Sequence, residues 1–251
     1  MASRPTLPLI SLYDSPGVCV GTTFRGVPPA DDSYSGFSLC HYVGDAEEHW
    51  QRCRNALAHN LGIPLNHLIV PRQTHSVNVA LISSLPVADR DIDGVDAVVT
   101  TMRGVAVGVN TADCLPVLLF DEEAGVGGAV HAGWRGAVGG IVDRAVDVMV
   151  SAGAVPARIH AYIAPHIRQC CFEVGEDVAA QFPGEDVLRH QQAKPHVSLA
   201  SYVKRVLVLS GVPEENISDP GECTRCHPDR FFSARALSIA SGRNFSYIML
   251  K

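Results

Sequence analysis

Residues Asn110–Gly136, NTADCLPVLLFDEEAGVGGAVHAGWRG, decide how this chain is read. Two apolar runs, Leu115–Phe120 and Val126–Val130, read as neighbouring buried strands. The acidic, glycine-containing segment Asp121–Gly125 between them reads as a tight turn. Cys114 enters the first run and His131 leaves the second. In an antiparallel pair those two ends lie side by side. A thiol and an imidazole then meet at one end of a sheet, flanked by Asp113 and Arg135. Such a meeting suits a metal site or a Cys/His catalytic pair. A buried small hydrophobe and a hydrogen-bonded core histidine are the plainer alternative.

The rest of the chain is apolar enough to surround such a centre. Hydrophobic residues make up 47% of the 251 and charged residues 18%, which predicts a sizeable core rather than disorder. The net charge of -6 leaves no basic surplus or Lys/Arg run for nucleic acid or an anionic membrane. Prolines interrupt the N-terminal MASRPTLPLI, so it does not read as a signal peptide, and no run approaches a membrane span. A cytoplasmic protein, monomeric or a small homo-oligomer, is expected. Its 8 cysteines are then free or metal-bound rather than paired.

Upstream, Val18–Phe24 reads as a strand and Arg25–Ser35 as a loop carrying Pro28 and Pro29. Asp45 is placed to cap a helix running to about Leu61, with Trp50, Cys53, Leu57 and Leu61 on its inner face and Arg54 beside them. His67–Val70 and Val77–Ile82 read as short strands that display His75 at their junction. Pro86–Gly94 is an acidic loop, and Ala97–Thr100 and Val105–Val109 are further strands. Downstream of His131, the Gly133–Gly136 segment opens a helix from about Ala137 to Ala152. Its open N–H groups and Arg135 suggest an anion pocket. Ile159–Ile163 is a strand, Cys171–Gly175 leads into a short helix, and Leu199–Leu209 is an amphipathic helix ended by Gly211 and Pro213. Phe231-Phe232 and Phe245–Leu250 read as late strands, the second closing the sheet. Cys223-Thr224-Arg225-Cys226-His227 matches the haem attachment pattern, but no export signal accompanies it. A zinc knuckle lacks a second ligand pair in the sequence that follows, which leaves a redox pair as the remaining reading. Cys170-Cys171 read as packing residues.

Arg72-Gln73-Thr74-His75, Thr111–Val117 and Val130–Gly136 together resemble the YfiH or laccase-domain family. Phe37–Asp45, Cys53-Arg54, Cys171–Gly175, Cys223-Thr224 and Phe231–Arg235 extend the resemblance over nearly the whole chain. The resemblance implies one α+β domain over residues 1–251, with two mixed β-sheets packed between helices in α/β/β/α layers. It implies one zinc held by His75, Cys114 and His131. It also implies phosphorolysis of adenosine, inosine and methylthioadenosine, with deamination of adenosine. Copper-dependent polyphenol oxidation and editing of peptidoglycan precursors are further activities attached to that family. The chain departs from the family pattern at Ser38, in the Ala164–Gln169 loop and at Ala236.

Three ligands with an open position describe a catalytic zinc, for which copper competes on affinity. Arg135, Arg54 and the Gly133 helix start are then candidate phosphate holders. Asp113 orients a ligand, shuttles a proton or accepts a turn hydrogen bond. Gln73 reads the base or ties down its loop, and Trp134 stacks on the purine or packs. A metal-free cysteine hydrolase, with Cys114 as nucleophile and His131 as base, is the alternative from the same residues.

Overall fold

The computed structural model describes residues 7–26, 32–189, 191 and 193–251. The loop prolines Pro28 and Pro29 and most of the N-terminal MASRPTLPLI lie outside the described residues. The central hairpin is present: β7 is Leu115–Asp121 and β8 is Val126–Ala132 in the structure, antiparallel, with Leu115 opposite Ala132 and Pro116 opposite His131. Every residue of both strands is buried, because each face of the sheet they centre is covered.

That sheet has six strands in the order β12-β9-β7-β8-β5-β4, where β4 is Val79–Ile82, β5 Ala97–Thr100, β9 His160–Ile163 and β12 Ile217–Ser218. A second sheet has five strands in the order β1-β2-β13-β6-β3, with β1 Leu9–Asp14, β2 Val18–Thr23, β3 Leu68–Ile69, β6 Ala106–Thr111 and β13 Asn244–Leu250. A small hairpin pairs β10 (Val187–Leu188) with β11 (His196–Val197). The strand expected from Phe245 to Leu250 therefore lies in the middle of its sheet, between β2 and β6.

Side-chain alternation, with its period of two, assigns each face. Leu118 and Phe120 of β7 join Ile248 and Leu250 of β13 in the core between the sheets. Leu115, Val117 and Leu119 point the other way, onto the helices α3 (Ile141–Ser151) and α5 (Leu199–Leu209). Phe245, Tyr247 and Met249 of β13 pack with Cys53 and Leu57 of α1 (Glu47–Leu61). The layers are thus helix, five-stranded sheet, six-stranded sheet, helices, in one mixed α+β domain. Close approach of the sheets depends on Gly127, where a Cβ would lie 2.9 Å from Ile248 Cδ1.

Four local expectations change. The helix expected from Ala137 is two helices, α2 (Trp134–Val138) and α3, broken at Gly139-Gly140, where Gly140 adopts φ 85°. Glycine reaches that conformation at no steric cost. Asp45 does not cap α1: the N-cap is Ala46, and the Asp45 carboxylate bonds His49 Nδ1 instead, at 2.8 Å. Phe231-Phe232 is a buried irregular segment rather than a strand, leading to α6 (Ala234–Leu237). Of the expected packing pair Cys170-Cys171, only Cys171 packs, half-buried against the core beneath the six-stranded sheet, while Cys170 is exposed. They sit in the loop between β9 and α4 (Glu176–Ala179). Among the described residues no helix is long and apolar enough to cross a membrane.

Phe120 fills the space between the sheets, with Tyr13 at 5.0 Å and Tyr162 at 6.0 Å between ring centroids. Phe120→Ala is expected to cost about 3–5 kcal/mol of unfolding free energy by urea titration, as large-to-small changes in tight cores do. A loss under about 1 kcal/mol would show that the two sheets are not held by this core.

Candidate functional site

The hairpin register places Cys114 and His131 at one end of the six-stranded sheet, and the β3–β4 connection carries His75 over to them. One ligand atom from each lies within 4.8 Å of the others. Cys114 Sγ is 3.6 Å from His75 Nε2, and the two imidazole rings meet edge-on at 4.8 Å. Three donors of this kind, one thiol and two imidazoles, fit a transition metal ion. Gly133 makes room for them: a Cβ there would lie 2.9 Å from His75 Cδ2 and 3.2 Å from Cys114 Sγ.

Asp96, which sequence reasoning missed, builds this arrangement. It is wholly buried just before β5. Its carboxylate accepts hydrogen bonds from the backbone N–H groups of Thr74, His75 and Ser76 and from the Ser76 hydroxyl. The same carboxylate meets His131 Nδ1 at 2.6 Å, which leaves Nε2 free toward Cys114. A carboxylate behind a ligating histidine fixes the ring's tautomer and orientation. Its only signal in the sequence is an aspartate ahead of a β-branched run, which reads as an ordinary turn residue.

The charges are mutually dependent. Burial alone would raise the Cys114 thiol, but the neighbouring imidazoles of His131 and His75 outweigh it and bring it down to about 6. Burial alone would likewise lower His131, yet the Cys114 thiolate and Asp96 raise it to about 9. Asp96 is drawn down to about 2: burial opposes ionisation, and His131 with the loop N–H donors overcomes it. A thiolate, an imidazolium and a carboxylate therefore stand in a row.

Asp113 takes φ 83°, a left-handed conformation that few non-glycine residues adopt. One carboxylate oxygen accepts from the Thr224 hydroxyl at 2.7 Å, the other from the Arg235 N–H at 2.7 Å in the first turn of α6. Both oxygens are thus engaged in holding the loop before Cys114.

A cavity of about 400 Å³ opens in front of His75, Cys114 and His131. Trp134, Ile167, Phe172, Leu199 and Ile239 give it apolar walls; Tyr42, Gln73, Asn110 and Thr111 line its polar side. Gln73 receives the Tyr42 hydroxyl and is tied to both backbone groups of Asn110, so it secures its loop. The Asn110 amide oxygen and the Thr111 hydroxyl are buried without a hydrogen-bond partner among the described residues. The cations on the wall are Arg235 and Arg243. Arg243 is positioned by Ser38, whose hydroxyl accepts its N–H at 3.0 Å. The sequence carried Arg235 in a matched motif but gave no reason to separate either arginine from other surface cations.

Two predicted phosphate holders sit elsewhere. Arg54 lines a separate cavity with His41, Trp50 and Arg72, and bonds the Leu39 carbonyl and His41. Arg135 is exposed and lies 4.3 Å over the face of Trp134. The helix that begins at Gly133 has only five residues, so its dipole is small.

A family model described as multi-copper polyphenol oxidoreductase laccase matches residues 19–251. A prokaryotic protein named adenosine deaminase RL5 is 43% identical over 94% of this chain and 95% of its own length. A purine nucleoside phosphorylase of Bacteroides thetaiotaomicron is 34% identical over 88% of this chain and 87% of its own. The crystal structure of the YfiH protein of Bacillus licheniformis superposes with a TM-score of 0.85 at 26% identity, covering 93% of each chain. The family and the His/Cys donor set together point to a metal centre. With the match spanning the whole six-stranded sheet and every residue of the site, the chain belongs to the laccase-like YfiH family.

Proposed function

We propose that this chain is a zinc-dependent purine nucleoside phosphorylase that also deaminates adenosine. The observation that carries the reading is the convergence of His75, Cys114 and His131 at one end of a cavity with apolar walls, unpartnered polar atoms and two arginines. The relatives named adenosine deaminase and purine nucleoside phosphorylase support the substrate class. His75, Cys114 and His131 would hold the metal, with Asp96 as the positioning residue behind His131. Zinc bound by three protein ligands supplies Lewis-acid charge at that end of the cavity.

The remaining roles belong to the cavity. Trp134, Phe172 and Ile167 present flat or apolar surface to a purine ring. The Asn110 amide oxygen accepts from a sugar hydroxyl or an exocyclic amine, and the Thr111 hydroxyl pairs with a second such group. Both would otherwise stay buried and unsatisfied, which favours a ligand that brings hydrogen-bond partners. Arg235 and Arg243 supply the positive charge that a phosphate dianion needs. In phosphorolysis a phosphate oxygen forms a bond to the anomeric carbon while the bond to the purine nitrogen breaks, and the base departs with that electron pair. Asp113 acts here as a positioning residue, since its two oxygens are already bonded to Thr224 and Arg235.

The test incubates zinc-loaded protein with adenosine, with and without phosphate, and separates the products. Adenine and ribose 1-phosphate are expected only with phosphate, and inosine in both conditions, with all products lost in His75→Ala and Cys114→Ala. No product from the zinc-loaded wild type would overturn the reading. Activity that survives chelation but not thiol alkylation would favour the Cys114/His131 hydrolase instead.

Zinc loading is also expected to release protons. At pH 7 the Cys114 thiol, brought down to about 6, is ionised, while His131, raised to about 9, carries a proton that the metal must displace. This pair should therefore release about one proton per zinc at pH 7, approaching none above pH 9 and rising toward two below pH 6. The difference between wild type and His75→Ala/Cys114→Ala, by calorimetry in buffers of different ionisation enthalpy, measures it; a difference independent of pH would contradict the thiolate–imidazolium assignment. Asp96→Asn is expected to weaken zinc binding about 10- to 100-fold, read by competition with a chromophoric chelator. Unchanged affinity would remove Asp96 from its positioning role.

A further inference from the structure

A second group of four sulfurs lies away from the catalytic candidates. Cys170 and Cys171, in the loop after β9, meet Cys223 and Cys226 of the Cys-x-x-Cys turn after β12, and all four Sγ atoms lie within 4.8 Å of one another. The separations are 3.7 Å for Cys170–Cys171, 3.8 Å for Cys170–Cys226 and 3.4 Å for Cys171–Cys226. Four thiolates bound at about 2.3 Å to one zinc stand about 3.8 Å apart along each tetrahedron edge. The vicinal pair thus supplies the second ligand pair that the Cys-x-x-Cys turn lacks in its own stretch of sequence.

The backbone is arranged for the same purpose. The Arg168 N–H donates to Cys223 Sγ at 3.4 Å, and His166 bridges Cys223 in parallel. Such N–H donors stabilise a buried thiolate. A cluster with bridging sulfides spreads its thiolates over several irons, so sulfur contacts of this length match a single ion.

We infer that Cys170, Cys171, Cys223 and Cys226 form a closed tetrathiolate site for one structural zinc ion, separate from the His75/Cys114/His131 group. Binding releases the thiol protons to solvent and changes no oxidation state. With four protein ligands no position stays open for substrate, which makes the role structural. The ion ties the loop carrying the cavity-wall residues Ile167 and Phe172 to the turn whose Thr224 holds Asp113. It therefore braces one wall of the cavity without touching what the cavity binds.

The test uses the full chain with the His/Cys group removed, His75→Ala/Cys114→Ala, so that its result does not depend on the enzymatic reading. After zinc loading and desalting, this variant is expected to hold about one zinc per chain and the wild type about two. X-ray absorption on the variant is expected to give a shell of four sulfurs at about 2.3 Å with no nitrogen. Adding Cys170→Ser and Cys226→Ser to that variant should remove the remaining zinc, with folding checked by circular dichroism. A zinc-free His75→Ala/Cys114→Ala variant, or one whose zinc has nitrogen or oxygen neighbours, would overturn the inference. So would a disulfide among these four cysteines in the reduced, zinc-loaded protein, which would mark them as a redox pair instead.

Discussion

The site depends on one buried carboxylate. Asp96 has no contact with solvent, and its charge is tolerable only because three consecutive backbone N–H groups, a hydroxyl and an imidazole all point at it. A buried anion without such partners would be protonated or expelled. The requirement runs in both directions. The loop Thr74–Ser76 cannot turn its amides inward without an acceptor, and the acceptor cannot be buried without the loop. His75 takes φ 61° within that turn, a conformation that the hydrogen bonds to Asp96 hold in place. One residue therefore sets the backbone of one metal-ligand candidate and the ring orientation of another.

A parallel arrangement sets the third. Cys114 follows Asp113, whose left-handed backbone is held by Thr224 on one side and the start of α6 on the other. Of the three left-handed non-glycine residues among those described, His75, Asp113 and Ser238, the first two form or flank the donor set, and each is held by hydrogen bonds to a carboxylate. Local strain persists where surrounding bonds over-determine it, and here both instances lie at the same end of the six-stranded sheet.

Much of this was legible in the sequence, and the reason is register. Leu115–Phe120 and Val126–Val130 are uniform apolar runs of strand length joined by a short turn, so their antiparallel pairing brings Cys114 to His131 with no further information. The layered fold came from the family resemblance and is visible in the alternation of β7 and β13. Other features were legible and misread: Val138-Gly139-Gly140 marks a helix break, yet an unbroken helix through it fits the apolar spacing of α3 equally well. Arg54 shares a motif with the family but projects into another cavity, because helix α1 lies on the far face of the five-stranded sheet. Asp96 and the two cavity arginines were hidden for a physical reason. Their importance comes from what tertiary structure aims at them, and a single charged residue has no periodicity to betray it.

The sulfur cluster shows the same limit from the other side. Cys223 and Cys226 have knuckle spacing, and within their own stretch they lack partners. The partners lie 52 to 56 residues earlier, directly after the Ala164–Gln169 loop where this chain leaves the family pattern. That coincidence has structural content. The parallel bridge between His166 and Cys223 and the return bond from the Thr224 N–H to the His166 carbonyl bring the departing loop onto the cysteine turn. A loop that trades its usual residues for Ala164, Arg168 and Gln169, just ahead of the vicinal cysteine pair, needs another way to hold its shape. Burial alone supplies little of that here, since Cys170 and Cys226 are exposed. Convergent sulfurs at this spacing supply it, and they do so beside the Phe172 wall, where a small shift would change the shape of the cavity.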